Sequence, residues 1–222
     1  MLIALAQQAT HAAEIPYDHA LSGMSRRAHL HNVLSPARTD DREPEQVSAF
    51  LPVEQAVLPT GSGDARRLDA SIDTTAVWKG QFKRHRRGIH SPEPTLFFID
   101  DEVEFDEPRG ATFHLHAPFP IEPIGGGFAV RGGRAELIVS PAWTVVESTY
   151  GEDFLDWALN PVTHLVMTSA PGTSYRLLTV LQVVSAGSTP VWTVEAKSDG
   201  SVTARSGDAE DVYRPGHRAG TA

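Results

Sequence analysis

The chain has 222 residues, a formal net charge of -9 and no cysteine. That length suits one domain with a core large enough to fold without staples, and the missing cysteines exclude a disulfide framework and any thiolate metal site. The acidic balance argues against nonspecific binding to nucleic acid or anionic lipid, yet leaves room for a local basic groove that takes an acidic substrate.

The opening residues, MLIALAQQATHAAEIP, hold a short apolar run with no basic region ahead of it, which makes a poor signal peptide. No segment reaches the length of a transmembrane helix. Residues 1–24 are expected to be an irregular or helical N-terminal segment. SRRAHLHNVLS (25–35) then places His29 and His31 two apart, on one face of a strand, with Asn32 next. Two ring nitrogens on one face can begin a zinc site, which needs three or four ligands. Solvated or core-satisfied histidines give the same pattern, so both readings stay open.

VSAFLPVEQAVLP (47–59) reads as a short strand and a loop, and GSGDARR (61–67) as turn material. LDASIDTTAVWKGQFKRHRRGIH (68–90) reads as two strands broken near Lys79-Gly80. Within it, KRHRR (83–87) is the strongest positive run. Arg86 and Arg87 are candidates to bind the carboxylate or sulfate of an acidic sugar chain, because a guanidinium forks onto such groups. A solvated edge strand protected by charge would look the same.

PTLFFIDDEVEF (94–105) is a buried strand that the pattern closes at Asp100-Asp101; paired carboxylates can bind calcium or share a proton, but here they are read as capping the turn before residues 104–109. In ATFHLHAPFPIEPI (111–124), Phe113 and Leu115 face one way and Thr112, His114 and His116 the other. GGGFAV, RGG and RAELIVSP (125–141) form a glycine-punctuated hairpin. WTVVESTY (143–150) is a strand, and GEDFLDWALN (151–160) an irregular or helical insertion. THLVMTSAPG (163–172) and SYRLLTVLQVVS (174–185) look like partners in the core. TPVWTVEAKSDGSVTARSG (189–207) is a last hairpin turning at Ser198-Asp199-Gly200, and residues 208–222 a polar, mobile tail. Trp78, Trp143, Trp157 and Trp192 are read as core aromatics, although each could stack on a sugar. So many short strands predict an all-β fold, a large antiparallel sandwich of the supersandwich type over residues 25–207.

The order of pieces says more than any one of them. AHLHNVLS, then DASIDTTAVWKGQFKRHRRGIHSPEPTLFFIDDEV, then ATFHLHAP, then HLVMTSAPGTSYRLLTVLQVV resembles the C-terminal β-sandwich of heparinase II/III-type polysaccharide lyases, over roughly residues 25–185. The resemblance implies β-elimination on a uronate-containing polysaccharide. A base removes the proton at C5 while Asn, His or Arg donors neutralise the carboxylate. Most of that equipment belongs to an α/α toroid in the family, and the upstream His-X-Asp motif has no counterpart here. The resemblance therefore implies the end of such an enzyme: a truncated frame, a split gene, or a sandwich subunit working with a separate toroid chain, inactive alone and periplasmic or extracellular. It also matches His31 to a zinc ligand of the family whose upstream His and Asp partners have no counterpart here. Asp18, His19, His29, His114 and His116 are the residues that could stand in, and the expectation is an open site with His31 at a sheet edge and no stoichiometric zinc. The resemblance matches Arg86 or Arg87 to the family arginine. The rival reading is a noncatalytic carbohydrate-binding or scaffold module.

Overall fold

The computed structural model describes residues 31–39, 44, 60–78, 80–117, 121–124, 127–130, 133–139, 145–155, 161–184, 189 and 191–215. Its strands, in chain order, are β1 (Leu34–Pro36), β2 (Thr60–Gly63), β3 (Leu68–Asp73), β4 (Arg84–Glu93) and β5 (Leu96–Arg109). Then come β6 (Ala111–Ala117), β7 (Ile121–Ile124), β8 (Gly127–Val130), β9 (Gly133–Val139) and β10 (Val145–Leu155). The last are β11 (Pro161–Ser169), β12 (Gly172–Val183), β13 (Thr193–Ala196), β14 (Val202–Ser206) and β15 (Ala209–Tyr213). One 3-10 turn, Thr75–Trp78, follows β3, and Asp73 caps it by accepting the Thr75 N–H at 2.9 Å.

Every pairing among the described strands is antiparallel. An eight-stranded sheet runs β2-β3-β4-β5-β12-β9-β8-β7, a four-stranded sheet β1-β6-β11-β10, and a three-stranded sheet β13-β14-β15. The all-β, layered antiparallel fold predicted from the strand pattern is the fold observed.

Alternation along β5 and β12 explains the layering. Val103, Phe105, Tyr175 and Leu177 lie on one face of the eight-stranded sheet. They pack with Leu34, Phe113, Leu165 and Met167 of the four-stranded sheet, and with Trp78 and Phe82. Leu96, Phe98, Leu178 and Val180 lie on the opposite face and pack with Trp192, Val202, Ala204 and Tyr213 beside the three-stranded sheet. Each fully buried side chain of this kind is worth about 1.5–3 kcal/mol. A surface ion pair contributes about 1 kcal/mol or less, so the two apolar clusters set the stacking of layers.

Several local expectations differ from the structure. Gly61–Gly63 belongs to β2, and the turn is confined to residues 64–67, where Asp64 Oδ1 accepts the N–H groups of Arg66 and Arg67 at 2.6 and 2.9 Å. The KRHRR strand is not an edge: β4 lies between β3 and β5. Asp100 and Asp101 do not end their strand, because β5 continues to Arg109. Gly151–Leu155 prolongs β10 rather than opening an insertion. The strands at 163–172 and 174–185 sit in different sheets, β11 beside β6 and β10, β12 beside β5 and β9. Residues 209–213, read as mobile tail, form β15. The hairpins at β8–β9 and β13–β14 fall where the glycines put them. The N-terminal segment, the 47–59 strand, Trp143 and Trp157 lie outside the described residues.

Candidate functional site

Asn32 sits one turn of chain before β1 and acts as an extra pairing position for β6. Its Oδ1 accepts the backbone N–H of His116 at 2.6 Å, and its Nδ2 donates to the His116 carbonyl at 3.4 Å. One amide side chain thus satisfies both backbone groups of a residue that β1 is too short to reach. The His116 Nδ1 lies 3.3 Å from the same Oδ1. The Val33 carbonyl accepts the His114 N–H at 3.0 Å, so the 32–36 segment lies along the whole first half of the sheet edge.

Arg87 and His85 of β4 fasten this segment from the eight-stranded sheet. Arg87 makes a fork with Asp101 on β5, Nε to Oδ1 at 2.6 Å and Nη2 to Oδ2 at 2.9 Å, and its Nη1 donates to the Asn32 carbonyl at 3.0 Å. Burial works against the Arg87 charge, but the Asp101 carboxylate more than offsets it and holds the guanidinium above its ordinary value. His85 Nε2 lies 3.1 Å from the Leu34 carbonyl and can only donate to it; the Thr74 hydroxyl meets Nδ1. Burial pushes the His85 pKa down, so this imidazole is held neutral with its proton on Nε2.

On the far side of the four-stranded sheet lies a buried polar row. His116 stands opposite His164 in the β6–β11 register, and their rings stack at 3.9 Å between centroids. His114 Nδ1 is 3.1 Å from His164 Nε2, and His114 Nε2 is 3.1 Å from Ser35 Oγ. Thr112 and Thr168 continue the row, hydroxyl to hydroxyl at 3.2 Å. A neutral imidazole donates from one nitrogen and accepts at the other, so Ser35, His114 and His164 form a directional hydrogen-bonded chain in either sense. Asn32 links the Arg87–Asp101 pair to His116, whose ring stacks on His164.

Of the residues singled out in sequence, Arg86 and Arg87 cannot serve one ligand together. They are consecutive in a strand and point to opposite faces. Arg87 is turned inward to Asp101 and Asn32. Arg86 is on the other face, in register with Asp73 of β3 and Glu102 of β5. His31 precedes Asn32 in a bend, and its carbonyl accepts the Val33 N–H at 2.9 Å. Asp18, His19 and His29 lie outside the described residues. Among the described residues, no group of three or more His, Asp or Glu is placed to hold a metal. The His114 Nδ1 and His164 Nε2 nitrogens face each other at 3.1 Å. His164, His85 and Ser35 were not singled out in sequence. His164 had a usable signal, since an imidazole in THLVM alternates with the core residues Leu165 and Met167.

No family model and no curated protein matches the chain by sequence. Its structure is similar to two structures of a heparinase III gene product. One is 13% identical with a TM-score of 0.61, covering 86% of this chain and 30% of that one. The other is 12% identical with a TM-score of 0.62, covering 92% and 33%. Heparan sulfate lyase from Pedobacter heparinus is also similar, at 8% identity and a TM-score of 0.58, covering 87% of this chain and 31% of that one. The chain therefore spans about a third of the length of the solved structures it matches. At these identities the likeness is one of fold: the chain is folded like a β-portion of heparinase III and heparan sulfate lyase, the enzymes to which the order of its motifs pointed.

Proposed function

We propose that this chain is the β-sandwich portion of a heparinase II/III-like polysaccharide lyase, acting by β-elimination on a uronate-containing polysaccharide in the periplasm or outside the cell. The observation that carries this reading is the fold match over most of the chain and only a third of each lyase. The resemblance in motif order, which starts at the segment holding His31 and Asn32, supports it independently.

In this reading the sandwich supplies a rigid wall, and an α/α toroid supplies the base and most of the groups that neutralise the uronate carboxylate. The wall's own contribution is the segment 31–36, held by Arg87, His85 and the side chain of Asn32. Of the two candidate arginines, Arg86, on the other face, is the one left to meet an acidic chain. The test is complementation. The chain is fused to, or mixed with, the toroid portion of a heparinase III lacking its own sandwich, and release of unsaturated uronate from heparan sulfate and alginate is followed by ultraviolet absorbance. Product formed only in the combination supports the reading. A flat trace with the combination, together with saturable heparan sulfate binding by the chain alone, would favour the carbohydrate-binding module instead.

A further inference from the structure

His90 of β4 occupies an unusual position between two layers. Its ring lies tilted against Phe98 of β5 at 5.8 Å and stacks on Tyr213 of β15 at 5.6 Å between centroids. Its Nδ1 is 3.7 Å from Asp69 Oδ2 on β3, in the same sheet. Its Nε2 is 3.3 Å from Asp211 Oδ2 on β15, in the other sheet. Both ring nitrogens therefore face a carboxylate. A neutral imidazole carries one N–H, so one nitrogen would turn its lone pair on a carboxylate oxygen; only the imidazolium satisfies both.

We propose that His90, Asp69 and Asp211 form a protonation-controlled clasp between the eight-stranded and the three-stranded sheet, closed while His90 is charged and loosened when it loses its proton. The neighbouring charges are consistent with a dedicated contact. Tyr213, next but one to Asp211, donates its hydroxyl to Asp100 Oδ2 at 3.1 Å, and Arg176 Nε lies 3.0 Å from Asp100 Oδ1. Burial and the Asp100 charge push the Tyr213 phenol well up, so it stays a donor throughout. Among the described residues no cation faces the His90 ring at these distances; β3 offers Asp69, β15 offers Asp211 and Tyr213, and β5 offers Phe98.

The Asp211 carboxylate beside Nε2 is the main cause that raises the His90 pKa above its usual 6.5, against the opposing effect of burial. The sign follows from linkage. A raised folded-state pKa gives stabilisation that is complete below 6.5 and disappears as pH rises through the folded value. The apolar contacts of Phe98, Val202 and Trp192 remain, so the clasp biases local opening of the three-stranded sheet and does not release it.

The experiment uses the full chain. The imidazole carbons of His90 are titrated by NMR, assigned with His90→Gln. Amide exchange in 202–213 is compared with that in β5 at mildly acidic and mildly alkaline pH, after correction for intrinsic rates. The expected result is a His90 titration above 6.5 and a loss of protection in 202–213 relative to β5 as pH rises. That loss should be absent in His90→Gln and in Asp211→Asn, a half-exposed substitution on the opposite strand. Titration at or below 6.5, or the same pH-dependent loss in either variant, overturns the clasp.

Discussion

At the scale of single residues, the Arg87–Asp101 pair is the most demanding feature. Asp101 is fully buried, and among the described residues Arg87 is its only charge partner at bonding distance. Removing one member of such a pair leaves an uncompensated charge inside and costs about 3–5 kcal/mol, whereas replacing both by apolar groups can be neutral. Arg87→Met should therefore lower the urea midpoint far more than Arg87→Met with Asp101→Leu, at an unchanged denaturant slope. Asn32→Ala removes both bonds to the His116 backbone and should cost about 1–3 kcal/mol, with the largest amide shift at His116. His85 gives a pH dependence opposite to that of His90. Its folded-state pKa is lowered, so the stability it protects is present above 6.5 and declines as pH falls below that value. His85→Gln should flatten that acid slope in a thermal melt series. None of these partnerships was legible in sequence beyond the types of residue involved. Alternation said that Arg87 and Arg86 face apart, but Asp101 meets Arg87 only through the β4–β5 register.

Among the elements, the glycines separate strands that matter globally from one that does not. A Cβ at Gly172 would meet the Tyr175 hydroxyl at 2.7 Å, and that hydroxyl is lodged against the Arg109 carbonyl at 2.8 Å and against Ala170. Gly172→Ala should destabilise the whole fold by about 1–3 kcal/mol, because the Tyr175 ring belongs to the main core. A Cβ at Gly61 would lie 2.2 Å from the Asp69 carbonyl oxygen, so β2 must unpair from β3. β2 is an exposed edge strand. Gly61→Ala should abolish exchange protection in β2 while shifting the global midpoint by less than about 0.5 kcal/mol. The hairpins β8–β9 and β13–β14 could be found in sequence because glycine turns are local signals. Sheet membership could not: alternation assigns faces, not neighbours, so β11 and β12 looked like partners while each paired elsewhere. β15 was missed because AEDVY buries only Tyr213 and places the acidic Asp211 on the same face, so no apolar alternation marks a strand.

At the scale of the whole molecule, layered antiparallel sheets were legible from strand density alone, and the likeness to the lyase sandwich from motif order. The histidine row and the Asn32 bridge emerged only when β1, β6 and β11 came together. In the proposed reading, the sandwich frames a uronate-cleaving site and the base comes from a toroid. The most direct measurement is ultraviolet-detected release of unsaturated uronate from heparan sulfate and alginate by the purified chain alone. The account predicts no release at any pH where the fold is intact. A steady rise that disappears in a variant of this chain, such as His114→Ala or Asn32→Ala, would contradict it and place a complete catalytic set within the sandwich.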